Sequence, residues 1–354
     1  MPKIKKEYSY AEGINNALEL ALKKDKNILC YGLGVTDPKG VFGTTIGLEK
    51  KFGSRRVFDI PTSENAITGI SIGSALNGVK SIVTHQRLDF FLLAMDQLVN
   101  SAAKWHYMFG SKKSVPITIR LIVGRGWGQG PTHSQSLQSW FNHIPGIKVV
   151  MPTFAEDAKG LLLSSISDPN PVVFIEHRWL HNIKTKKIVN KKIKIGKARI
   201  CKKGMDITIV SMSYLTLEAL TAAKFLLKKF KIQAEIIDLR SIKPLDWKTI
   251  FDSVDKTRRL LVLDTGFTTG SVAGEIIAKI SINKFKKLKA APDRLAMPDV
   301  PEPTSFALTK NFHITSEKII NKVLKIMNIN HKKIKNIKSL KYHDQPGEWF
   351  KGPF

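Results

Sequence analysis

The sequence predicts an α/β fold of two doubly wound domains, each with a mostly parallel sheet between layers of helices. Three observations lead to this prediction. Apolar runs of strand length alternate with helical patterns along the 354 residues. The runs are continuous rather than alternating in polarity, which is typical of strands that are covered on both faces. A lysine-rich, irregular stretch at 183–204 divides the alternation into two sets.

The first domain is predicted over residues 1–182. Its buried strands are expected at 27–31, 57–60, 80–84, 115–123, 147–151 and 172–176. Helical periodicity predicts helices at 10–24, 65–77, 90–109 and 155–167.

The second domain is predicted over residues 205–330, after a linker at 183–204. Its expected strands are 207–212, 234–239 and 260–264, and its expected helices are 215–230, 246–254, 271–284 and 315–327. The remaining residues, 331–354, form a basic tail with aromatic residues and prolines near its end, and we expect this tail to dock onto the surface of the protein.

Composition narrows the classes of function. The net charge is +28, but the lysines are spread along the chain without a nucleic-acid-binding motif, so a solvated surface explains them better than nucleic-acid binding. No apolar run approaches the roughly 20 residues that span a bilayer, and no signal-peptide pattern is present. The two cysteines have no metal or disulfide spacing. These features predict a cytoplasmic protein that binds neither membranes nor nucleic acid.

One carboxylate, Glu64, stands where a predicted strand gives way to a helix. Sites in α/β proteins form at the carboxyl ends of strands, so this position favours a functional role. Gly69 and Gly73, four residues apart, would let the helix approach another backbone closely, which predicts that Glu64 lies near a packed interface. The alternative is an acidic residue that merely stabilises the first turn of a helix.

Two further segments follow predicted strands. A glycine-rich loop at 124–130 precedes His133 and is suited to close approach of a ligand, although it matches no phosphate-binding pattern. His133 either points into a cleft or makes a structural hydrogen bond. Phe90 and Phe91 are adjacent and cannot both face one core, so one of them is a candidate to face the cleft, although core packing is the default interpretation.

Two further polar segments were considered. The turn that contains Asp168 and Asn170 is suited either to a hard cation or to a plain reversal of the chain. Asp238 and Arg240, at a strand-to-helix crossing, are expected to pair with each other.

Together, these segments resemble the beta subunits of thiamine-diphosphate-dependent 2-oxo acid dehydrogenases of the pyruvate, branched-chain and acetoin types, within the transketolase superfamily. The resemblance covers about residues 8–327. The segments that carry it occur in the same order in both predicted domains: PTSE at 61–64, DQLVNSAAK at 96–104, HSQS at 133–136, PGIKVV at 145–150, DAKGLL at 157–162, DLRSIKPLD at 238–246 and DVPEP at 299–303.

The resemblance implies roles for several residues. Glu64 matches the glutamate that hydrogen-bonds the aminopyrimidine ring of thiamine diphosphate and favours its reactive tautomer. Phe90 matches an aromatic residue that packs on that ring. His133 matches a histidine proposed to assist proton transfer when the acyl group passes to lipoamide. Asp168 and Asn170, with the carbonyl group of Ile117, match a potassium site.

The resemblance also implies partners. The motif that binds diphosphate and magnesium in this family, Gly-Asp-Gly followed by Asn, is not found in the sequence. In the family it lies on an alpha subunit, so we expect a separate alpha chain to hold the diphosphate and Mg²⁺ in a tetramer of two alpha and two beta chains. A lipoyl acyltransferase core is a further expected partner.

Two departures from the family pattern concern the substrate. Leu33 replaces a glutamate that usually neighbours the catalytic one, and Arg125 to Trp127 is bulkier and more basic than is usual, so Arg125 is a candidate to meet an anionic substrate. Three alternatives therefore stay open. They are a two-chain transketolase-like carboligase, a non-catalytic subunit, and a nucleic-acid binder, which the salt dependence of binding would test.

Overall fold

The computed structural model describes residues 7–126, 128–185, 191–335, 337, 343–346 and 350. Its strands are β1 (Tyr8–Ser9), β2 (Ile28–Gly32), β3 (Val57–Asp59), β4 (Lys80–His85), β5 (Ile117–Val123), β6 (Lys148–Val150), β7 (Val172–His177), β8 (Lys184–Thr185), β9 (Arg199–Lys202), β10 (Ile207–Ser211), β11 (Ala234–Asp238), β12 (Ser241–Lys243), β13 (Leu260–Phe267) and β14 (Asp293–Met297).

The helices alternate with these strands. They are α1 (Tyr10–Lys24), α2 (Leu48–Phe52), α3 (Glu64–Leu76), α4 (Leu88–Phe91), α5 (Ala103–Met108), α6 (Gln138–His143), α7 (Ala155–Ile166), α8 (Leu215–Phe230), α9 (Trp247–Thr257), α10 (Val272–Lys284), α11 (Phe306–Phe312) and α12 (Ser316–Ile326). No helix in the described ranges is long and apolar enough to cross a membrane.

Two sheets organise the molecule, as predicted. The first has seven strands in the order β12-β6-β7-β5-β4-β2-β3, and the second has five in the order β14-β13-β10-β11-β9. Within these two sheets the strands pair in parallel, except at the edge strands β12 and β9, which run antiparallel to β6 and β11. The doubly wound α/β class is therefore confirmed, with one antiparallel edge in each sheet.

The stretch at 183–204 contains two strands that the sequence did not predict: β8 pairs with β1, and β9 pairs with β11 as the edge of the second sheet. The bounds of the linker and of the two domains stay a prediction. The sequence pattern did not indicate β9, because an edge strand has a neighbouring strand on one side only and its apolar signal is weak among the lysines. The two halves also share structure, since β12 from the second half completes the first sheet. One hydrophobic core accordingly includes Phe141 and Val149 from the first half and Ile242 and Ile250 from the second.

The predicted helix at 90–109 is interrupted. After α4 the chain forms a 3₁₀ turn at Leu92–Ala94 and a π turn at Gln97–Ala102 before α5 begins. Buried side chains recur three residues apart at Leu88, Phe91 and Ala94. That spacing is compatible with the three residues per turn of the 3₁₀ segment.

The predicted pairing of Asp238 with Arg240 is also wrong. The Arg240 guanidinium donates instead to Asp157 over 2.9 Å, and Asp238 accepts the backbone N–H of Arg240 at 3.3 Å. Asp157 also accepts from Arg199 on β9 at 2.9 Å. The carboxylate of α7 therefore links both guanidinium groups across the junction between the two halves.

Candidate active site

The predicted site residues lie at one edge of the first sheet. Strands β3, β2, β4, β5 and β7 are parallel neighbours, so their carboxyl ends meet at the same edge. Glu64, Arg87, Gly124 and Arg178 follow β3, β4, β5 and β7 within a few residues. This edge is where open α/β sheets place their ligands.

Glu64 is the first residue of α3 and is buried, with 6% of its surface exposed. Within the described ranges no group donates a hydrogen bond to its carboxylate. The carboxylate lies at the N-terminus of α3, where the helix dipole favours a negative charge. The arrangement therefore leaves an acceptor for a ligand that is a hydrogen-bond donor.

The helix of Glu64 does not make the close contact that its glycines predict. A Cβ atom at Gly69 would approach the side chain of Gln97 at 3.4 Å, and one at Gly73 would meet nothing within 4 Å. Ile70 on the same helix is 60% exposed. Among the residues that the structure describes, α3 is therefore uncovered at Ile70 and Gly73.

A cavity of about 590 Å³ opens at the same edge of the sheet. Its walls come from the loop after β2, the segment after β4, the glycine-rich loop and the segment after β7; they are formed by Asp37, Lys39, Gly40, Val41, Phe42, Gly43, Gln86, Arg87, Phe90, His133 and Arg178. The cavity brings together Phe90 and His133. Glu64 is not among these described lining residues.

Phe90 and His133 meet edge to face, with ring centroids 5.6 Å apart and planes at 87°. Phe91 is fully buried in the core, so the interpretation that one of the two adjacent aromatics faces the cleft is confirmed. His133 is exposed, and its Nδ1 lies 3.1 Å from the hydroxyl of Thr132. His133 lies in the loop before α6, which begins at Gln138.

The glycine-rich loop that carries His133 depends on its glycines. Gly126, Gly128 and Gly130 have φ angles of 83°, 69° and 65°, a region that favours glycine. A Cβ atom at Gly126 would lie 2.0 Å from the carbonyl oxygen of Asp344. The docked tail therefore packs directly against this loop.

The cavity contains two arginines that sequence reasoning missed. The guanidinium of Arg178 lies 4.6 Å from the ring centroid of Phe42, and that of Arg87 lies 5.4 Å from the same centroid. A signal for both was present in the sequence. Each follows the carboxyl end of a predicted strand, at 80–84 or at 172–176.

A buried ion pair holds one wall of the cavity. Arg120 on β5 donates through Nε to Glu176 on β7 at 2.6 Å, and both side chains are fully buried. Arg120 Nη2 also donates to the hydroxyl of Thr44 at 2.9 Å. His181 Nε2 lies 3.2 Å from the second oxygen of Glu176. The pair thus anchors the loop between β2 and α2 that carries Phe42.

In the turn predicted to bind potassium, the Asp168 carboxylate pairs with a lysine side chain. Lys148 Nζ donates to both carboxylate oxygens of Asp168 at 2.7 Å, and the Asn170 backbone N–H donates to the same carboxylate at 3.0 Å. In the described ranges no cluster of three or more His, Cys, Asp or Glu residues forms a metal site. The potassium site with Ile117 stays a prediction, and the Asp168 carboxylate does not support it because an ammonium group already neutralises it.

Arg125 does not line the cavity of Phe90 and His133. Its guanidinium stacks 4.1 Å from the ring centroid of Trp179 and lies 5.5 Å from that of Tyr214. Burial lowers the pKa of Arg125. The expectation that this arginine meets the substrate is not supported, because its guanidinium packs against the rings of Trp179 and Tyr214. Trp127 lies outside the described residues.

Comparison with known families defines the class of protein. Residues 6–183 match the model described as "Transketolase, pyrimidine binding domain", and residues 196–319 match "Transketolase, C-terminal domain". The chain is therefore a transketolase-like protein. The structure of a "Split gene transketolase, inactive beta4 tetramer" shares the fold, with a TM-score of 0.74, 18% identity and coverage of 91% of this chain and 99% of that one.

The curated relatives narrow the family. The chain is 38% identical over 329 residues to the mitochondrial pyruvate dehydrogenase E1 component subunit beta of Chaetomium thermophilum, covering 92% of this chain and 86% of the relative. It is 37% identical over 332 residues to the acetoin:2,6-dichlorophenolindophenol oxidoreductase subunit beta of Bacillus subtilis, with 90% and 97% covered. The chain belongs to the family of E1 beta subunits of 2-oxo acid dehydrogenases, which confirms the resemblance seen in the sequence. The carboligase alternative is not favoured.

Proposed function

We propose that this chain is the beta subunit of a thiamine-diphosphate-dependent 2-oxo acid dehydrogenase, active with a separate alpha chain. The observation that carries the proposal is the buried carboxylate of Glu64, which has no donor in the described ranges and lies at the sheet edge. The pyrimidine ring of the cofactor has a weakly basic nitrogen that could share a proton with this carboxylate.

The residues at this edge fit the cofactor of the family. Glu64 would accept a hydrogen bond from the pyrimidine ring and hold a proton at a carboxylate oxygen. Phe90 offers an aromatic face at the cavity wall for the same ring. When bound, thiamine diphosphate supplies the electron sink for loss of carbon dioxide from a 2-oxo acid.

His133 would serve the second half of the reaction. It lies on the cavity wall and is exposed, so a lipoyl group that arrives from solvent can reach it. A histidine can give or accept a proton near neutral pH. We propose that it moves a proton as the acyl group passes to lipoamide.

The partners follow from what this sequence lacks. Because it contains no Gly-Asp-Gly motif followed by Asn, we propose that an alpha chain binds the diphosphate and Mg²⁺. Two alpha and two beta chains would form the tetramer, and the open face of α3 around Ile70 and Gly73 is available for contact with another chain. A lipoyl acyltransferase core would accept the product.

A cytoplasmic location remains part of the proposal. The fungal relative's name includes the word mitochondrial, so fractionation of the source cells is the direct check.

The test is co-expression with candidate alpha chains, followed by purification of the complex. Carbon dioxide release is then measured across several 2-oxo acids with thiamine diphosphate and Mg²⁺, with and without lipoamide. We expect turnover only with both chains, ending in acyl-lipoamide. Turnover without transfer to lipoamide would contradict the dehydrogenase assignment, and turnover by this chain alone would contradict the shared site.

A further inference from the structure

The cavity beside Phe90 and His133 carries more positive charge than a simple 2-oxo acid requires. Lys39, Arg87 and Arg178 line it, and Asp37 is the one carboxylate among the described lining residues. A 2-oxo acid with an apolar side chain brings a single negative charge, and a lipoamide arm brings none. The wall is therefore suited to a ligand with more than one anionic group.

Arg178 has unused donors in this cavity. Its guanidinium lies against the rings of Phe42 and Phe350, with centroid distances of 4.6 and 5.6 Å. Within the described ranges it makes no hydrogen bond, and its Nε is buried without a partner. Stacking on rings fixes the plane of a guanidinium and leaves its N–H groups directed outward, which suits a carboxylate or phosphate.

Arg87 stands beside the same ring. Its guanidinium lies 5.4 Å from the centroid of Phe42, and Nη1 donates to the carbonyl oxygen of Gln86 at 2.8 Å. Burial, and secondly the charge of Arg87, lower the pKa of Arg178 to about 10. Two like charges around one ring repel each other, and an anion between them would relieve that repulsion.

The charge of Asp89 acts on Arg87, but no nearby carboxylate in the described ranges neutralises Arg178. Asp89 accepts a hydrogen bond from the Gln135 side chain at 2.8 Å, which engages one of its oxygens. Asp37 lines the cavity, is exposed, and forms no ion pair within the described ranges. Neither one provides a buried counter-ion for Arg178.

We propose that Arg178 and Arg87 bind a second anionic group, carried on the side chain of the 2-oxo acid substrate. This inference rests on the proposed function and narrows its substrate class to 2-oxo acids with an acidic side chain. The shared chemistry is that of a carboxylate or a phosphonate, either of which can accept paired N–H donors from a guanidinium.

The test compares three 2-oxo acids in the reconstituted two-chain complex. 2-Oxoglutarate and 2-oxopentanoate have the same carbon chain and differ by a terminal carboxylate, and 3-phosphonopyruvate carries a phosphonate instead. We expect kcat/KM to be about tenfold or more higher for an acidic substrate than for 2-oxopentanoate, since hydrogen bonds to charged groups are the strong ones. The better acidic substrate identifies the kind of anion.

Variants then locate the effect. Arg178→Gln should raise KM about tenfold for the acidic substrate and leave that for 2-oxopentanoate nearly unchanged, with partial recovery in Arg178→Lys. Arg55→Gln removes the same charge from an exposed position and should change neither value. If Arg178→Gln does not fold, Arg87→Gln tests the same prediction.

Three outcomes separate this inference from the proposed function. Higher activity with 2-oxopentanoate than with both acids would overturn the inference and leave the dehydrogenase assignment standing. Equal losses for acidic and apolar substrates in Arg178→Gln would show that the arginine binds the carboxylate common to all 2-oxo acids, which also overturns it. No turnover with any 2-oxo acid would contradict the proposed function itself.

Discussion

The imidazole of His133 stands edge-on to the ring of Phe90, with 5.6 Å between the centroids. One side chain comes from a glycine-rich loop after β5 and the other from α4 after β4. Parallel pairing of β4 with β5 brings these two segments to the same side of the sheet. The contact therefore joins a candidate proton carrier to a candidate cofactor platform in one cavity.

The first prediction concerns that histidine. In the two-chain complex, His133→Ala should slow acylation of lipoamide more than decarboxylation measured with an artificial electron acceptor, because only the first reaction needs the proposed proton transfer. His143→Ala, an exposed histidine on α6, is the control and should affect neither rate. Equal losses in both assays for His133→Ala would argue against the role.

The second prediction concerns the ion pair of Arg120 and Glu176. Burial alone raises the pKa of Glu176, but the charge of Arg120 and the hydrogen bonds from His181 and Arg120 outweigh it and lower that pKa overall. Glu176→Gln leaves a buried guanidinium without its counter-ion, so the free energy of unfolding should fall by about 3–5 kcal/mol.

Chemical denaturation measures that loss. Glu19→Gln, which breaks the surface pair with Lys51, is the control and should cost about 0–1 kcal/mol. A loss in Glu176→Gln no larger than in the control would show that Arg120 finds another partner.

The third prediction concerns pH. Burial raises the pKa of Glu302 to about 8, an effect that Arg125 opposes and Asp89 adds to, while burial lowers the pKa of His313. The carboxyl oxygen of Glu302 lies 3.2 Å from His313 Nε2, and burial disfavours the charged form of both groups. Glu302 therefore stabilises the fold fully at pH values below its pKa in the unfolded chain. This contribution is lost as the pH rises through its pKa in the folded chain, which is about 8.

The measurement is the melting temperature at pH 7 and pH 9, an interval that contains the folded-state pKa of Glu302. The wild-type chain should lose more stability over this interval than Glu302→Gln, which cannot ionise. Parallel curves for the two proteins would mean that Glu302 is already ionised at pH 7.

The fourth prediction concerns assembly. A Cβ atom at Gly73 would meet nothing within 4 Å among the described residues of the isolated chain, so Gly73→Leu should leave its melting temperature unchanged or slightly raised. The same leucine should block association with the alpha chain or with a second beta chain, as measured by light scattering. Lys228→Leu places a leucine at an exposed position of α8, and this variant should assemble normally. Normal assembly of Gly73→Leu would remove this face from the interface.

Much of the fold was predictable because continuous apolar runs mark buried parallel strands. Helices α1 and α8 begin and end where the periodicity placed them. Strand β9 was missed since its one covered side leaves a weak apolar signal among lysines. The break before α5 was missed because three- and four-residue spacings look alike over a few turns.

The site was predictable only where a resemblance supplied a role. Phe90 and His133 do line one cavity, as the cleft hypothesis requires. Arg87 and Arg178 were missed since a lone arginine after a strand carries no motif, and only the fold brings both to Phe42. Arg125 was overvalued because sequence alone does not reveal the ring of Trp179 that covers it.

The most direct measurement is carbon dioxide release by the reconstituted two-chain complex with Glu64→Gln. The amide keeps the size of the side chain but cannot hold the proton, so we predict a loss of about 10²-fold or more with unchanged assembly. Glu49→Gln, in the first turn of α2 and exposed, is the matched control and should retain full activity. Near-normal turnover of Glu64→Gln would contradict the claim that this chain supplies the acid–base carboxylate of a shared cofactor site.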